Sequence, residues 1–213
     1  MGNRILVINP NSSRSCTQGI AESLAPFAAP GRPPFEVVSL VEGPPAIVTW
    51  RDWFSVAEPL CRMVEAEPAL AYIIACVSDP GLEAVRTATQ QPVFGPFRAA
   101  VAAALARAER FGVIAFVEAS KARQRRALQA MGAEGRLAAS IALNLPMETL
   151  TDPQAARAAL CDTARQLVAR GAETVILGCA GMAGHRAAVQ DAAGVPVIEP
   201  CQAAAVQALL ATA

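Results

Sequence analysis

The chain has 213 residues, of which 54% are hydrophobic, 17% charged and 5% aromatic, and its 18 basic residues are balanced by 18 acidic ones. This balance excludes a strong positive field, which nucleic acid or an anionic membrane surface would require. Apolar stretches are interrupted well before the ~20 residues of a membrane span, and the amino terminus lacks the apolar core of a signal peptide. We therefore expect a cytoplasmic protein with a small-molecule substrate and no nucleic-acid or membrane partner.

The chain contains one lysine and one histidine but six cysteines, and no two cysteines form a C-x-x-C pair. Schiff-base chemistry with pyridoxal phosphate and histidine-ligated metals therefore have almost no residues to use. We expect neither a cofactor nor a metal. Because a cytosolic chain keeps its thiols reduced, some of the cysteines are available for chemistry.

Short β-branched runs alternate with longer alanine-rich segments, a pattern typical of parallel strands joined by crossover helices. Strands are predicted at residues 5–9, 36–40, 70–76, 93–94, 113–117, 137–143, 174–179 and 195–198. Helices are predicted from Ser12 and Ser13 to residue 24, from Asp52 to residue 66, from Asp79-Pro80 onward, and from Asp152-Pro153 to residue 171.

Three segments of the first half recur in the second half, in the same order and at a nearly constant offset. Residues 72–76 (YIIAC) align with 175–179 (VILGC), residues 92–96 (PVFGP) with 196–200 (PVIEP), and residues 5–8 with 113–116. Ordered matches of this kind indicate two similar units. We therefore predict an α/β fold of two pseudo-symmetric, parallel-sheet, Rossmann-like domains, with the active site in the cleft between them.

The repeat divides the chain into a first domain of residues 1–96 and a second of residues 97–201, and we expect the C-terminal helix 202–213 to complete the first domain. Cys76 and Cys179 occupy equivalent positions in the two units. Each ends a buried strand and precedes a turn into a helix. Ligands bind at the carboxyl ends of parallel strands, and helix amino termini beyond them supply N–H groups that favour thiolate over thiol.

Two such units facing each other would bring the two thiols to opposite sides of one substrate carbon. One thiolate can then remove an α-proton while the opposite thiol donates one, and backbone N–H groups stabilise the enolate-like intermediate. This is the geometry of a two-base racemase that uses no cofactor. The other four cysteines are interpreted as packing residues: Cys16, Cys61, Cys161 and Cys201.

The same motifs resemble those of the aspartate/glutamate/hydantoin racemase superfamily, and within it the hydantoin and allantoin racemases. The resemblance covers nearly the whole chain. It rests on residues 8–12 (INPNS), 43–47 (GPPAI), 75–82 (ACVSDPGL) and 177–182 (LGCAGM). It implies a cofactor-independent enzyme with Cys76 and Cys179 as its catalytic thiols, usually as a homo-oligomer, and 5-substituted hydantoins or allantoin as its substrates.

The predicted substrate-binding residues surround the two thiols. They are Asn11, Ile47, Val77, Ser78, Phe116, Val117, Ala180 and Gly181. Relatives usually carry two hydroxyl groups where this chain has Phe116 and Val117, which indicates a more apolar or reshaped pocket. Trp50 and Trp53, with Phe116, form either a pocket wall or ordinary packing.

Several polar residues have a structural interpretation beside the functional one. Asn11 can organise its turn, and Ser78 can cap a helix. Asp79 is interpreted as the cap of its own helix, and His185 as incidental to the chemistry. The basic run at residues 123–126 is interpreted as the solvated face of a helix.

Other functions share this architecture. One alternative is an enzyme of the arylmalonate decarboxylase or maleate cis–trans isomerase type, which uses one thiol; the presence of both cysteines argues against the decarboxylase. A second is an amino-acid racemase for aspartate or glutamate. A third is a small-ligand sensor without turnover, which the replaced hydroxyl groups at Phe116 and Val117 favour.

Overall fold

A computed structural model describes residues 2–152 and 154–213, and it contains two four-stranded sheets in which all neighbouring strands are parallel. The first sheet contains β1 (Ile5–Asn9), β2 (Phe35–Ser39), β3 (Ala71–Ile74) and β4 (Val93–Phe94), in the order β2-β1-β3-β4. The second contains β5 (Phe111–Ala115), β6 (Leu137–Ala142), β7 (Thr174–Gly178) and β8 (Val197–Ile198), in the order β6-β5-β7-β8. The two orders are equivalent, so the predicted pair of pseudo-symmetric α/β units is confirmed.

Helices connect the strands and cover the sheets. They are α1 (Arg14–Leu24), α2 (Trp50–Ser55), α3 (Ala57–Ala66), α4 (Leu82–Ala88), α5 (Pro96–Leu105), α6 (Glu118–Ala130), α7 (Met147–Thr151), α8 (Arg157–Ala169), α9 (Arg186–Ala193) and α10 (Pro200–Ala211). Because helices shield both sheet faces, every residue of β1, β3, β5 and β7 is buried, which explains their nearly continuous apolar sequences. Within the described chain, no helix combines the length and apolarity needed to cross a membrane.

The largest hydrophobic cluster joins the two sheets. It contains Ile5 and Ile73 from the first sheet and Phe111 and Ile176 from the second, together with buried residues of α1, α5 and α10. Helix α10 packs against α5, α1 and β3 although it follows β8, a strand of the second sheet. The predicted limits of the domains at residues 96 and 201 stay a prediction.

All eight predicted strands are present, but three predicted helix starts are wrong. Asp52 is not the cap of a helix through residue 66: Thr49 caps α2, and the segment divides at Val56 into α2 and α3. Helix α4 begins after Gly81, not at Asp79. Helix α8 begins at Arg157; of the predicted Asp152-Pro153 start, residue 153 lies outside the described residues.

Candidate active site

The two strand-end cysteines meet at one cavity between the sheets. Cys76 follows β3 by two residues and Cys179 follows β7 by one, and both side chains are half-buried. β3 pairs in parallel with β1, and β7 pairs in parallel with β5, so both cysteines lie at the carboxyl ends of strands. The cavity lining consists of Asn11, Cys16, Ile47, Ala75, Cys76, Val77, Ser78, Phe116, Ser120, Met147, Gly178, Cys179 and Ala180.

The structure gathers six of the eight predicted substrate-binding residues around this cavity. The exceptions are Val117 and Gly181. Val117 lines a neighbouring cavity beside Phe116 and Met147, and Gly181 lines another beside Cys16. The backbone N–H of Gly181 nevertheless forms a hydrogen bond with the Cys179 sulfur, which offsets a part of the rise that burial causes in the pKa of that thiol.

Cys16 lines the cavity as well, although the sequence suggested only packing. Its side chain is 1% exposed and belongs to the central hydrophobic cluster. Burial raises the pKa of the Cys16 thiol to about 12, so it stays protonated near neutral pH. The sequence did contain a signal for this role of Cys16. The residue lies in the first turn of α1, directly after β1, a strand whose carboxyl end lies at the site.

Asn11 organises its turn and also reaches the cavity. Its side-chain oxygen accepts hydrogen bonds from Asn9 Nδ2 at 2.9 Å and from the Ser13 backbone N–H at 2.9 Å. A further hydrogen bond from Asn11 lowers the pKa of the Cys16 thiol. The structural and the functional interpretations of this residue are therefore compatible.

Ser78 contacts Cys76 and caps no helix. Its hydroxyl lies 3.6 Å from Cys76 Sγ, and its carbonyl oxygen accepts a hydrogen bond from Trp53 Nε1 at 2.9 Å. Trp53 in turn packs with Trp50 and Phe54, at ring-centroid distances of 5.7 and 4.9 Å. These rings hold the Cys76 segment from outside, and none of the three lines the cavity.

Asp79 caps a different helix from the one predicted. Its carboxylate accepts hydrogen bonds from the backbone N–H groups of Phe97 at 2.9 Å and Arg98 at 3.1 Å, at the start of α5. The carboxyl group is 2% exposed, and burial raises its pKa to about 7. Asp79 adopts a φ of +49°, a left-handed conformation that Asp tolerates better than most residues.

His185 lies in the 3₁₀ helix Ala180–His185 and does not line the cavity that holds Cys76 and Cys179. Its Nε2 lies 3.1 Å from the carbonyl oxygen of Leu150, and its side chain is buried. This contact ties α7 to the Cys179 segment. It supports the interpretation of His185 as a structural residue.

The basic run at residues 123–126 is not a uniformly solvated face. Arg125 and Arg126 are exposed, but Arg123 and Gln124 are each only 2% exposed. Gln124 Nε2 donates to the carbonyl oxygens of Val77 at 2.9 Å and Gly178 at 3.3 Å, and so bridges the two cysteine segments. The prediction failed because a cluster of like charges hid the helical spacing of Arg123 and Gln124 with Ala127 and Leu128.

The two thiols lie in different electrostatic surroundings. Burial raises the pKa of Cys76, whereas the hydrogen bond from Ser78 and the charge of Arg123 lower it. Burial raises the pKa of Cys179 well above its ordinary value, and the hydrogen bond from the Gly181 N–H offsets this only in part. Of the residues that the structure describes, none that lines the cavity carries a carboxylate, ammonium or guanidinium group. The cavity therefore suits an uncharged ligand.

Known proteins share both the sequence and the fold. The sequence profile described as "Asp/Glu/Hydantoin racemase" matches residues 5–208. The chain is 35% identical to a hydantoin racemase of Paenarthrobacter aurescens over 94% of its own length and 87% of that protein. Allantoin racemase from Klebsiella pneumoniae superposes with a TM-score of 0.88 at 31% identity, covering 96% of this chain and 85% of the other. Allantoin racemase from Pseudomonas fluorescens gives a TM-score of 0.90 at 28% identity, covering 96% and 88%.

The fold and the site define a class of protein. It is an α/β enzyme with two related parallel sheets, each of which contributes one thiol to a cavity between them. The chain belongs to the Asp/Glu/hydantoin racemase family, and it is an isomerase of the racemase type.

Proposed function

We propose that the protein racemises 5-substituted hydantoins or allantoin, with Cys76 and Cys179 as its acid/base pair. The observation that carries this proposal is the convergence of one strand-end thiol from each sheet on a single cavity. The sequence relationship to a hydantoin racemase and the structural relationship to allantoin racemases support the substrate class.

The chemistry requires two proton transfers at one ring carbon. The thiolate on one face takes the proton from C5, whose acidity comes from the neighbouring carbonyl group, and the electron pair moves into an enolate. The thiol on the other face then delivers its proton to C5, which completes inversion and leaves the first cysteine protonated. Turnover in the opposite direction begins from that state.

The lining of the cavity favours a neutral ring over a charged amino acid. Apolar groups of Ile47, Phe116 and Met147 face it, together with the polar groups of Asn11 and Ser120. An amino-acid substrate would bring an ammonium and at least one carboxylate, and burying these without partners costs far more than burying a neutral ureido ring. Aspartate and glutamate are therefore not expected to be substrates.

Racemisation tests the proposal. The optical rotation of L- and D-forms of 5-substituted hydantoins and of allantoin is followed in D2O, with aspartate and glutamate as comparisons, against the rate without protein. Exchange of the ring proton is followed by NMR. We expect both enantiomers to lose rotation, and their C5–H to exchange, only when the protein is present.

Single cysteine variants test the mechanism. Cys76→Ser and Cys179→Ser should each lower racemisation by about 100-fold or more, since general acid–base groups contribute on that scale. Each variant should still exchange the proton of one enantiomer only. Cys61→Ser is the matched control, because Cys61 is half-buried on α3 and lies outside the cavity lining. Full activity in either of the first two variants would exclude the two-thiol mechanism.

We infer further that the protein works in the cytoplasm as a homo-oligomer. All six cysteines are free thiols, which supports a reducing compartment. Val206 and Leu210, four residues apart on α10, are 52% and 79% exposed and offer an apolar surface for self-association. Cell fractionation tests the first inference. Sedimentation tests the second, which a single species of the 22.1 kDa chain would contradict.

A further inference from the structure

Arg123 is a buried cation whose hydrogen-bond partners are all neutral. Its guanidinium donates to the carbonyl oxygen of Val48 at 3.0 Å, to that of Ile47 at 3.3 Å and to Ser120 Oγ at 3.1 Å. Its Nε is buried without a partner, and Asp52 acts on it only through space. Burial of a charge without an anionic partner is costly. A fold that retains such a group at the edge of its cavity gains something other than stability from it.

Arg123 supports two parts of the cavity wall. It holds the segment at Ile47 through two carbonyl oxygens, and it orients the Ser120 hydroxyl; both Ile47 and Ser120 line the cavity. The ring of Trp50, at 5.8 Å from the guanidinium carbon, covers it from the other side. These contacts fix the position of the charge beside the cavity that Cys76 lines.

The charges around the two thiols are therefore unequal. Arg123 favours the ionised form of Cys76, and Asp79, whose carboxylate is held by the start of α5, opposes it weakly. Around Cys179, an ionised Cys76 disfavours a second negative charge, Cys16 stays protonated, and only the Gly181 N–H favours ionisation. None of the groups that shift the pKa of Cys179 is a guanidinium or ammonium group.

We propose that Arg123 is a positioning residue that makes Cys76 the more readily ionised member of the thiol pair and leaves Cys179 the less readily ionised one. The proposal rests on the proposed two-thiol function. It assigns different acidities to two cysteines that the repeat places in equivalent positions. It also explains why this buried guanidinium has no carboxylate partner: a carboxylate in contact would cancel its effect on the thiol.

Alkylation by iodoacetamide measures the ionisation of each thiol separately, and it requires no substrate. The thiolate displaces iodide and a C–S bond forms, so the rate follows the ionised fraction. Modification of Cys76 and Cys179 is quantified by peptide mass spectrometry from pH 5 to pH 10. In the unmodified sequence, we expect Cys76 to react at lower pH than Cys179. Faster modification of Cys179 at every pH would overturn the proposal.

Substitutions of Arg123 test its part. Arg123→Gln should move the alkylation profile of Cys76 upward by about one pH unit or more, the usual scale for loss of a nearby opposite charge, and should leave that of Cys179 in place. Arg123→Lys keeps the charge and should restore most of the shift. Arg126→Gln, on the exposed side of the same run, is the matched control and should change neither profile.

The outcomes separate this proposal from the proposed function. If Arg123→Gln does not fold, as judged by circular dichroism, the order of the two profiles in the unmodified sequence and the Arg123→Lys result still decide. An unchanged Cys76 profile in folded Arg123→Gln would overturn the role of Arg123. Absence of racemisation with a shifted profile would instead overturn the substrate assignment and leave the inequality of the thiols standing.

Discussion

The carboxyl group of Asp79 occupies the space that a side chain on Gly95 would fill: a Cβ placed on Gly95 would lie 2.5 Å from the Asp79 carboxyl carbon. In the second unit, Glu199 stands at the position equivalent to Gly95 and caps α10 itself, accepting from the N–H groups of Cys201 at 3.1 Å and Gln202 at 2.7 Å. Each unit therefore has one buried carboxylate at the start of the equivalent helix, supplied from different positions in the chain.

Gly95→Ala tests this close approach. The added methyl group lies closer to the Asp79 carboxyl group than any ordinary contact, so the cap of α5 must shift. We expect the free energy of unfolding to fall by about 2 kcal/mol, the upper range for loss of a helix cap. Urea denaturation measures it. Gly184→Ala is the control, because a Cβ at Gly184 meets nothing within 4 Å; equal losses in both variants would contradict the prediction.

The two buried carboxyl groups make stability depend on pH. Burial raises the pKa of Asp79 and of Glu199 to about 7, from ordinary values of 3.8 and 4.5. Between about pH 4 and pH 7 the folded chain therefore binds more protons than the unfolded chain, and the free energy of unfolding falls as pH rises. The slope can reach ~1.4 kcal/mol per pH unit for each group. It should level off above pH 7.

Urea denaturation from pH 4.5 to pH 8 measures this slope. Asp79→Asn and Glu199→Gln remove one titrating group each, so each should flatten the curve whatever its effect on stability at a single pH. Asp52, whose pKa is lowered by its hydrogen bonds with Thr49 and Val48, titrates below this window. A free energy of unfolding that rises between pH 5 and pH 7 would contradict the predicted direction of this slope.

Gln124 links the segments that carry the two thiols. Gln124→Leu leaves the carbonyl oxygens of Val77 and Gly178 without this donor, which should cost about 2 kcal/mol of stability. Racemisation of a hydantoin should fall by about ten-fold or more, because a small displacement of either thiol weakens proton transfer. Gln129→Leu, exposed on the same helix, is the control for both measurements. A folded Gln124→Leu variant with full activity would show that Gln124 does not determine the distance between the two thiols.

Gly178 allows β7 to lie against β5 immediately before Cys179. A Cβ at this position would lie 2.3 Å from the backbone oxygen of Ile114, which cannot move aside as a side chain could. We expect Gly178→Ala to lower the free energy of unfolding by about 3 kcal/mol. Gly19→Ala, on α1 with nothing within 4 Å, should instead raise it by ~1 kcal/mol. Thermal denaturation compares the two, and similar melting temperatures would contradict the packing argument.

The sequence was sufficient for the strands and for the equivalence of Cys76 and Cys179, because both depend on local patterns. Buried parallel strands require continuous β-branched runs, and a repeated topology leaves a repeated sequence. The start of α2 at Trp50 could also have been predicted. Thr49 and Asp52 have the spacing of a capping box, which marks a helix start three residues before the predicted one.

Asp79 and Arg123 could not be assigned from local sequence. The capping target of Asp79 is a helix 18 residues further along the chain, so nothing beside it in the sequence marks the contact. Two of the three hydrogen-bond partners of Arg123 lie 75 and 76 residues away, in the segment that follows Gly43. Contacts of this kind depend on how the two units pack, which the helical periodicity of α6 indicates only as a buried face.

The return of α10 to the first sheet has a consequence for synthesis on the ribosome. The surface of α5, α1 and β3 that α10 covers stays open to solvent until α10 itself has left the exit tunnel. Contacts of such long sequence separation slow folding, because the chain must close a large loop before it gains their stabilisation. The first unit is therefore expected to complete its hydrophobic core after the strands of the second have been made, and nascent chains that lack α10 should remain protease-sensitive at this surface.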